Sequence, residues 1–319
     1  MRRRPGPLRL ALPATSANLG AGFDAAALAM DLRLCLAARP AADWRLVARG
    51  RDRTVCGRRE GNLLLATYQD ILAGCGRPAP PLHVELTNAI PIGKGCGSSA
   101  AARLAGIAMA VHFGRLGWNG SRIEATAAAL EGHGDNVAAC WRGGAVCCIG
   151  RGEAFHAIEL GRPRWPLLLA VPRAPLPTAA ARAALPRRYS RAAAVANVQA
   201  AMLLAAALRG GHDRALAWAM ADRLHEPYRA ALCPLLPALK PLARDGAPGP
   251  IAGVALSGAG PSVLVIVNGA ARLAAARRRA RAALRRAGLE AELLVTRITG
   301  RGARISWAAR GLRTPGVGR

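Results

Sequence analysis

Apolar residues alternate at Leu8, Leu10 and Leu12, which predicts a first strand followed by a polar turn over 13–18. Residues 23–38 form a long, alanine-rich apolar stretch compatible with a strand, and 44–48 a shorter one. Over 62–73 the spacing changes, and Leu64, Leu65, Tyr68, Ile71 and Leu72 fall on one helical face. Alternation returns at 82–86. A glycine-rich loop then opens a helix over 98–112, and Ser121 is placed to cap a helix over 121–130. Residues 145–149 and 154–160 predict a hairpin turning at Gly150-Arg151-Gly152. A Gly/Pro break at 161–164 precedes a strand at 166–171 and a helical region over 178–243. Strands at 251–256 and 262–267, a helix over 270–287 and strands at 291–298 and 303–307 complete the chain. The order of elements is α+β in two domains, expected over 1–162 and 163–310, with a tail at 311–319.

A chain of 319 residues can bury two cores of ordinary size. Hydrophobic residues make up 52% but aromatics only 4%, so the cores are expected to be closely packed and alanine-rich. The net charge is +27, and all of the 45 basic residues except Lys94 and Lys240 are arginines. Such a charge attracts polyanions, which makes nucleic acid the first partner to weigh. The arginines are scattered, however, and no basic run alternates with stacking aromatics; a coding bias towards arginine and alanine accounts for both excesses. Along 270–287, Leu273, Ala276, Ala280 and Leu284 share one face and seven arginines occupy the rest, the pattern of a solvated helix. The eight cysteines form no C-x-x-C pair and no zinc-finger spacing, and are expected to be buried reduced thiols. The basic start Met1-Arg2-Arg3-Arg4 is followed by too short an apolar stretch for a signal peptide. The uncharged run over 192–208, mostly alanine and interrupted by Asn197 and Gln199, falls short of the roughly 20 apolar residues of a membrane span. A cytoplasmic protein without a membrane or specific nucleic-acid partner is expected.

Candidate chemistry concentrates first at Pro91-Ile92-Gly93-Lys94-Gly95-Cys96-Gly97-Ser98-Ser99-Ala100. Three alternating glycines let the backbone approach a ligand, and the serines open a helix whose N-terminal amides favour a phosphate. This is neither a Walker A loop nor G-x-G-x-x-G, and by itself it is also compatible with a plain strand-to-helix turn. Three further segments stand out: 13–24, with Asn18 and Asp24; Glu131-Gly132-His133-Gly134-Asp135-Asn136; and 255–262, Ala-Leu-Ser-Gly-Ala-Gly-Pro-Ser.

Taken together these segments resemble the GHMP kinases, and among them the homoserine kinases, over nearly the whole chain and in the expected order. Cys96, Ala21 and Gly134 depart from the family pattern at a leucine and two prolines. The resemblance implies an N-terminal domain like ribosomal protein S5 domain 2 and a ferredoxin-like C-terminal domain, with the site between them. It implies ATP bound by residues 91–100 and Asn62, and Mg²⁺ held by Ser98 and Glu131. It implies L-homoserine held by Asn18, Asp24, His133, Asn136, Thr178, Arg182 and Arg229. In this reading Asp24 takes the ammonium, two guanidiniums clamp the carboxylate, and Asn18 aims the hydroxyl. Lys94, Ser98 and Glu131 serve the transferring phosphoryl group; whether the 255–262 turn touches substrate stays open. The family analogy is compatible with a homodimer. A sister kinase for another alcohol, or a silent relative binding anionic partners, are the competing expectations.

Overall fold

The protein is described by a computed structural model covering residues 5–243 and 249–307. The basic start and the expected tail lie outside the described residues. The first sheet is built on a long antiparallel pair, β1 (Leu8–Asn18) and β2 (Gly22–Pro40), joined by a turn of three residues. β3 (Arg45–Gly50) runs parallel to β4 (Leu82–Asn88), and β4 pairs with the far half of β2. The expected hairpin forms as β5 (Ala145–Ile149) and β6 (His156–Gly161), attached to the near half of β2. The region expected as a polar turn, 13–18, is instead strand. Its hydroxyls and amide face no solvent, because Thr15, Ser16 and Asn18 are buried, and the Thr15 amide donates to the Cys96 carbonyl of the glycine-rich loop at 3.0 Å.

A short α1 (Arg53–Cys56) and then α2 (Leu63–Gly74), α3 (Ser98–Phe113), α4 (Gly120–Glu131) and α5 (Asp135–Arg142) complete this half. α3 is apolar nearly all round, as a helix must be to sit inside a core. A Cβ at Gly106 would lie 2.5 Å from the Leu64 carbonyl oxygen, so glycine there lets α2 and α3 cross closely. α4 is capped by Asn119, whose side chain accepts from the Arg122 amide at 2.9 Å, and not by Ser121, which falls inside the first turn.

The second sheet has four antiparallel strands, β7 (Pro166–Val171), β8 (Ile251–Leu256), β9 (Val263–Val267) and β10 (Glu292–Arg297), in the order β10-β7-β9-β8. With helices between β7 and β8 and between β9 and β10, this is the expected ferredoxin-like arrangement. α6 (Thr178–Ala183), α7 (Arg191–Gly210), α8 (Leu216–Ala219), α9 (Glu226–Arg229) and α10 (Leu235–Leu239) make the first connection. α11 (Leu273–Arg286) makes the second, burying Ala276, Ala280, Ala283 and Leu284 and leaving its arginines to solvent as expected. β7, β8 and β9 are buried on both faces: Leu167, Leu169, Leu264 and Ile266 join the core shared with the first sheet, and Leu168, Val263 and Val265 that beneath α11. The two halves therefore meet through a continuous apolar interior.

Two expectations change. The last strand, β11 (Arg304–Trp307), leaves the C-terminal half and pairs with the outer edge of β1, which otherwise would carry unpaired backbone groups. The chain crosses at Ile298–Thr299, where Thr299 exchanges hydrogen bonds with Ala29 and Gly144. And α7, at 20 residues with a mean hydropathy of 1.5, is by length and composition alone long and apolar enough to cross a membrane. The uncharged run counted from sequence was shorter than the helix. In the fold, Leu204 and Leu208 of α7 pack in the shared core while Val198 and Met202 face outward. All eight cysteines are unpaired; Cys96, Cys140 and Cys233 are buried as expected, but Cys35 and Cys75 are exposed.

Candidate active site

The turn after β1 is left-handed, with φ of 69° at Asn18, 48° at Leu19 and 77° at Gly20, and Asp24 follows at 53°. Short polar side chains tolerate this region because they satisfy nearby backbone groups. Here the Asn18 amide does so twice: its Oδ1 accepts from the Asp24 amide at 3.0 Å and its Nδ2 donates to the Gly258 carbonyl at 2.7 Å. Asn18 thus ties the Asp24 turn to the 255–262 loop.

Between β4 and α3 the glycine-rich loop turns at Gly93, Gly95 and Gly97, each with φ near +70°. A Cβ at Gly97 would come 1.8 Å from Thr15 Oγ1, and one at Gly95 2.1 Å from the Ser257 carbonyl oxygen. Ser257 Oγ donates to the Gly95 carbonyl at 2.7 Å, which locks the second half against the loop. Cys96 is buried beside Ser262; burial pushes its thiol up to about 12, so it packs as a neutral side chain. With Gly97 at its N-cap and no side-chain cap, α3 presents its first amides to the space above the loop.

That space is a cavity of about 140 Å³. It is lined by Asn18, Asp24, Gly93, residues 95–100, Glu131, His133, Asp135, Asn136, Thr178, Arg182, Arg229 and residues 258–260. The fold therefore brings most of the expected residues together, and the 255–262 turn forms part of the wall. Four expected nucleotide residues are elsewhere. Pro91 and Lys94 line a neighbouring pocket of about 590 Å³, and the Lys94 ammonium donates to the Arg173 carbonyl. Burial lowers the Lys94 pKa from its ordinary value. The Ile92 amide donates to Asp52 Oδ2 at 3.0 Å. Asn62 caps α2, accepting from the Leu65 amide and donating to the Cys56 and Arg58 carbonyls, so its side chain is spent on local structure.

At one end of the cavity, Glu131 Oε1 accepts from Ser99 Oγ and, at 3.0 Å, from Arg103 Nε. The expected pairing was with Ser98, which lines the cavity but makes no hydrogen bond to Glu131; Ser99 sits one helical turn before Arg103, so both reach the same carboxylate. Hydroxyl and carboxylate oxygens at a helix N-terminus fit a hard divalent cation. The cavity also holds a pair that sequence alone did not reveal. His133 Nδ1 lies 2.7 Å from Asp135 Oδ1. Burial pulls the His133 pKa down, but the Asp135 bond and the charges of Asp135, Asp24 and Glu131 outweigh it and raise the value. Asn136 Oδ1 accepts from Thr15 Oγ1 at 2.6 Å, fixing its amide to β1.

At the other end, Arg182 donates to both carboxylate oxygens of Asp24, at 2.9 and 3.0 Å. Arg229 is 1% exposed, and among the described residues no carboxylate lies within ion-pairing distance of it. Its Nε donates to the Ala181 carbonyl at 3.0 Å and its Nη1 to His225 Nδ1 at 3.1 Å, while its guanidinium carbon lies 5.3 Å from the Phe23 ring centre. Burial, with the Arg182 charge beside it, holds the guanidinium below its ordinary pKa. Because a guanidinium can only donate, His225 Nδ1 must accept, and the ring proton sits on Nε2, 2.9 Å from the Gly20 carbonyl. Burial keeps this histidine neutral, its pKa lowered. From sequence His225 is only the first residue of the stretch that carries Arg229; its place in space, stacked on Phe23 at 5.1 Å and bonded to Arg229, reveals its task.

The GHMP kinases N terminal domain family matches residues 62–144. A homoserine kinase of Solibacter usitatus is 46% identical over 258 residues, covering 80% of this chain and 84% of that protein. The chain belongs to the GHMP kinase family, in its homoserine kinase branch. A homoserine kinase of Thermus thermophilus is 39% identical over 265 residues, 82% of this chain and 87% of the relative. The crystal structure of homoserine kinase from Cytophaga hutchinsonii superposes with a TM-score of 0.77 at 22% identity, covering 96% of this chain and 99% of that one. It shares the two-sheet fold described above.

Proposed function

We propose that the protein transfers the γ-phosphoryl group of ATP to the hydroxyl of L-homoserine. The observation that carries this reading is Arg229: a buried guanidinium on the cavity wall without a carboxylate partner among the described residues. A buried charge left unpaired is costly, and an anionic ligand group would relieve it. Arg182 stands beside it to complete a two-guanidinium clamp for a carboxylate, and Asp24 is placed for an ammonium. An amino acid so held would direct its side-chain hydroxyl along the cavity towards the amides that open α3.

Phosphoryl transfer has a loose transition state and asks for alignment and charge neutralisation more than for a strong base. The main-chain amides of 95–99 and the α3 dipole would meet the phosphoryl oxygens. Glu131, with Ser99 or Ser98, would hold Mg²⁺, which when bound neutralises phosphate charge. Asn18 acts chiefly by fixing the Asp24 turn. His133, oriented by Asp135, would help shape the polar wall beside the acceptor hydroxyl. Lys94, held on Arg173, belongs to the neighbouring pocket in this arrangement and not to the phosphoryl group.

The test is a coupled assay of ADP release with Mg-ATP and, separately, L-homoserine, L-threonine, mevalonate, shikimate and galactose. Turnover with homoserine above the others is expected. Turnover with a different alcohol alone would discard the substrate, and none at all would discard the kinase reading.

A further inference from the structure

The cavity carries its own counter-charges. Arg182 and Asp24 are both needed by the amino-acid substrate of the reading above, yet in the fold each is taken by the other through a bidentate contact. Their side chains are 38% and 30% exposed, so the pair is partly solvated and its net worth is modest. Arg229 lies behind it, anchored to the Ala181 carbonyl next to Arg182. The Phe23 ring packs against both guanidiniums, its centre 5.9 Å from that of Arg182 and 5.3 Å from that of Arg229. Without Asp24, the two guanidiniums would lose their shared nearby counter-charge and be left with the more distant carboxylates of Asp135 and Asp222.

We propose that the Asp24–Arg182 ion pair stands in for the substrate and is exchanged, one partner for each substrate charge, when an α-amino-acid zwitterion enters. The ammonium replaces Arg182 at Asp24; the carboxylate replaces Asp24 at Arg182 and also neutralises Arg229. Carboxylate oxygens of Asp24 and Asp135 lie within 4.8 Å of one another, which leaves an acceptor-rich place for the ammonium once Arg182 has turned away. The consequence is a selectivity rule. A ligand with both charges breaks one ion pair and leaves Asp24, Arg182 and Arg229 all matched. A ligand with one charge breaks the same pair and strands either Asp24 or the guanidiniums. The internal pair therefore rejects hydroxy acids and amino alcohols of the same length, beyond what either missing contact would cause by itself.

This proposal rests on the homoserine reading, and one experiment separates their failures. Binding of L-homoserine, 4-hydroxybutyrate and 3-aminopropan-1-ol to the full chain is measured by calorimetry, for the unaltered protein and for Asp24→Asn. Asparagine tolerates the left-handed backbone of position 24. In the unaltered protein each half-charged ligand should bind at least about 30-fold more weakly than homoserine. In Asp24→Asn, Arg182 is released: 4-hydroxybutyrate should bind about fivefold better than to the unaltered protein, while homoserine loses about 30-fold. The exchange is overturned if the substitution brings no gain for 4-hydroxybutyrate, or if the unaltered protein binds 4-hydroxybutyrate within about threefold of homoserine. The second criterion needs no variant, so it holds even if Asp24→Asn does not fold. Absence of homoserine binding and turnover in the unaltered protein would overturn the parent reading itself.

Discussion

At one end of the cavity the wall is main chain; at the other it is charged side chain. The glycine loop and the start of α3 offer amides whose directions are set by steric contact. Gly95 and Gly97 sit where any Cβ would collide with Ser257 or Thr15. The opposite end, with Asp24, Arg182, Arg229 and His225, is set by electrostatics, and its partners can change. A phosphate is met by a rigid cradle that costs no reorganisation, and an amino acid by groups that must first release one another. Rigid sterics tolerate almost no substitution, whereas exchangeable charges lose affinity in steps.

The largest effect should come from breaking the rigid end. Gly97→Ala forces Thr15 or the loop to move by more than an ångström, and misplacement of that size should lower kcat by about 100-fold or more with the fold retained by circular dichroism. Loss of less than about tenfold would mean that the loop is not held by contact. Next, Arg229→Met should raise the KM for homoserine by about 30-fold or more and leave that for ATP in place. Arg182→Leu should raise it less, because that side chain is half-buried and its removal also frees Asp24. Equal shifts in both KM values for either variant would remove the clamp. Glu131→Gln should act on the phosphate end, reducing kcat by about tenfold or more and raising the Mg²⁺ requirement. An unchanged Mg²⁺ titration would take Glu131 out of the site.

The smallest effect is one of pH. The His225 pKa is lowered in the fold, so its contribution is complete above the ordinary value of 6.5 and fades as pH falls below it. Protonation would set a second cation against Arg229. Both folding stability and homoserine affinity should therefore decline on the acid side, with ATP affinity flat, and His225→Asn should abolish that limb. His133 works in the opposite direction: its raised pKa makes its contribution full below 6.5 and lost as pH rises through the elevated value. A His133→Gln variant that leaves the alkaline decline intact would sever that link.

The residues along the chain determined the order of strands and helices, the solvated arginine face of α11, the glycine-rich turn at 93–97, and the segments that meet in the site. Periodicity and backbone sterics are local, so they are readable locally. The tertiary structure alone decided what depends on neighbours distant in sequence. β11 returned to β1 because an unpaired edge lay there. Residues 13–18 became strand because their backbone pairs with β2 and the side chains of Thr15 and Asn18 found partners in Asn136 and Gly258. Lys94 was occupied by a carbonyl 79 residues on that no spacing rule brings near it, whereas Asn62 was taken by backbone groups three to six residues away. His225 acquired its tautomer from an arginine four residues on and a carbonyl 205 residues back. The pairing of Arg182 with Asp24, 158 residues apart, is of the same kind: charge seeks its partner in space, and sequence position does not say which partner will be there.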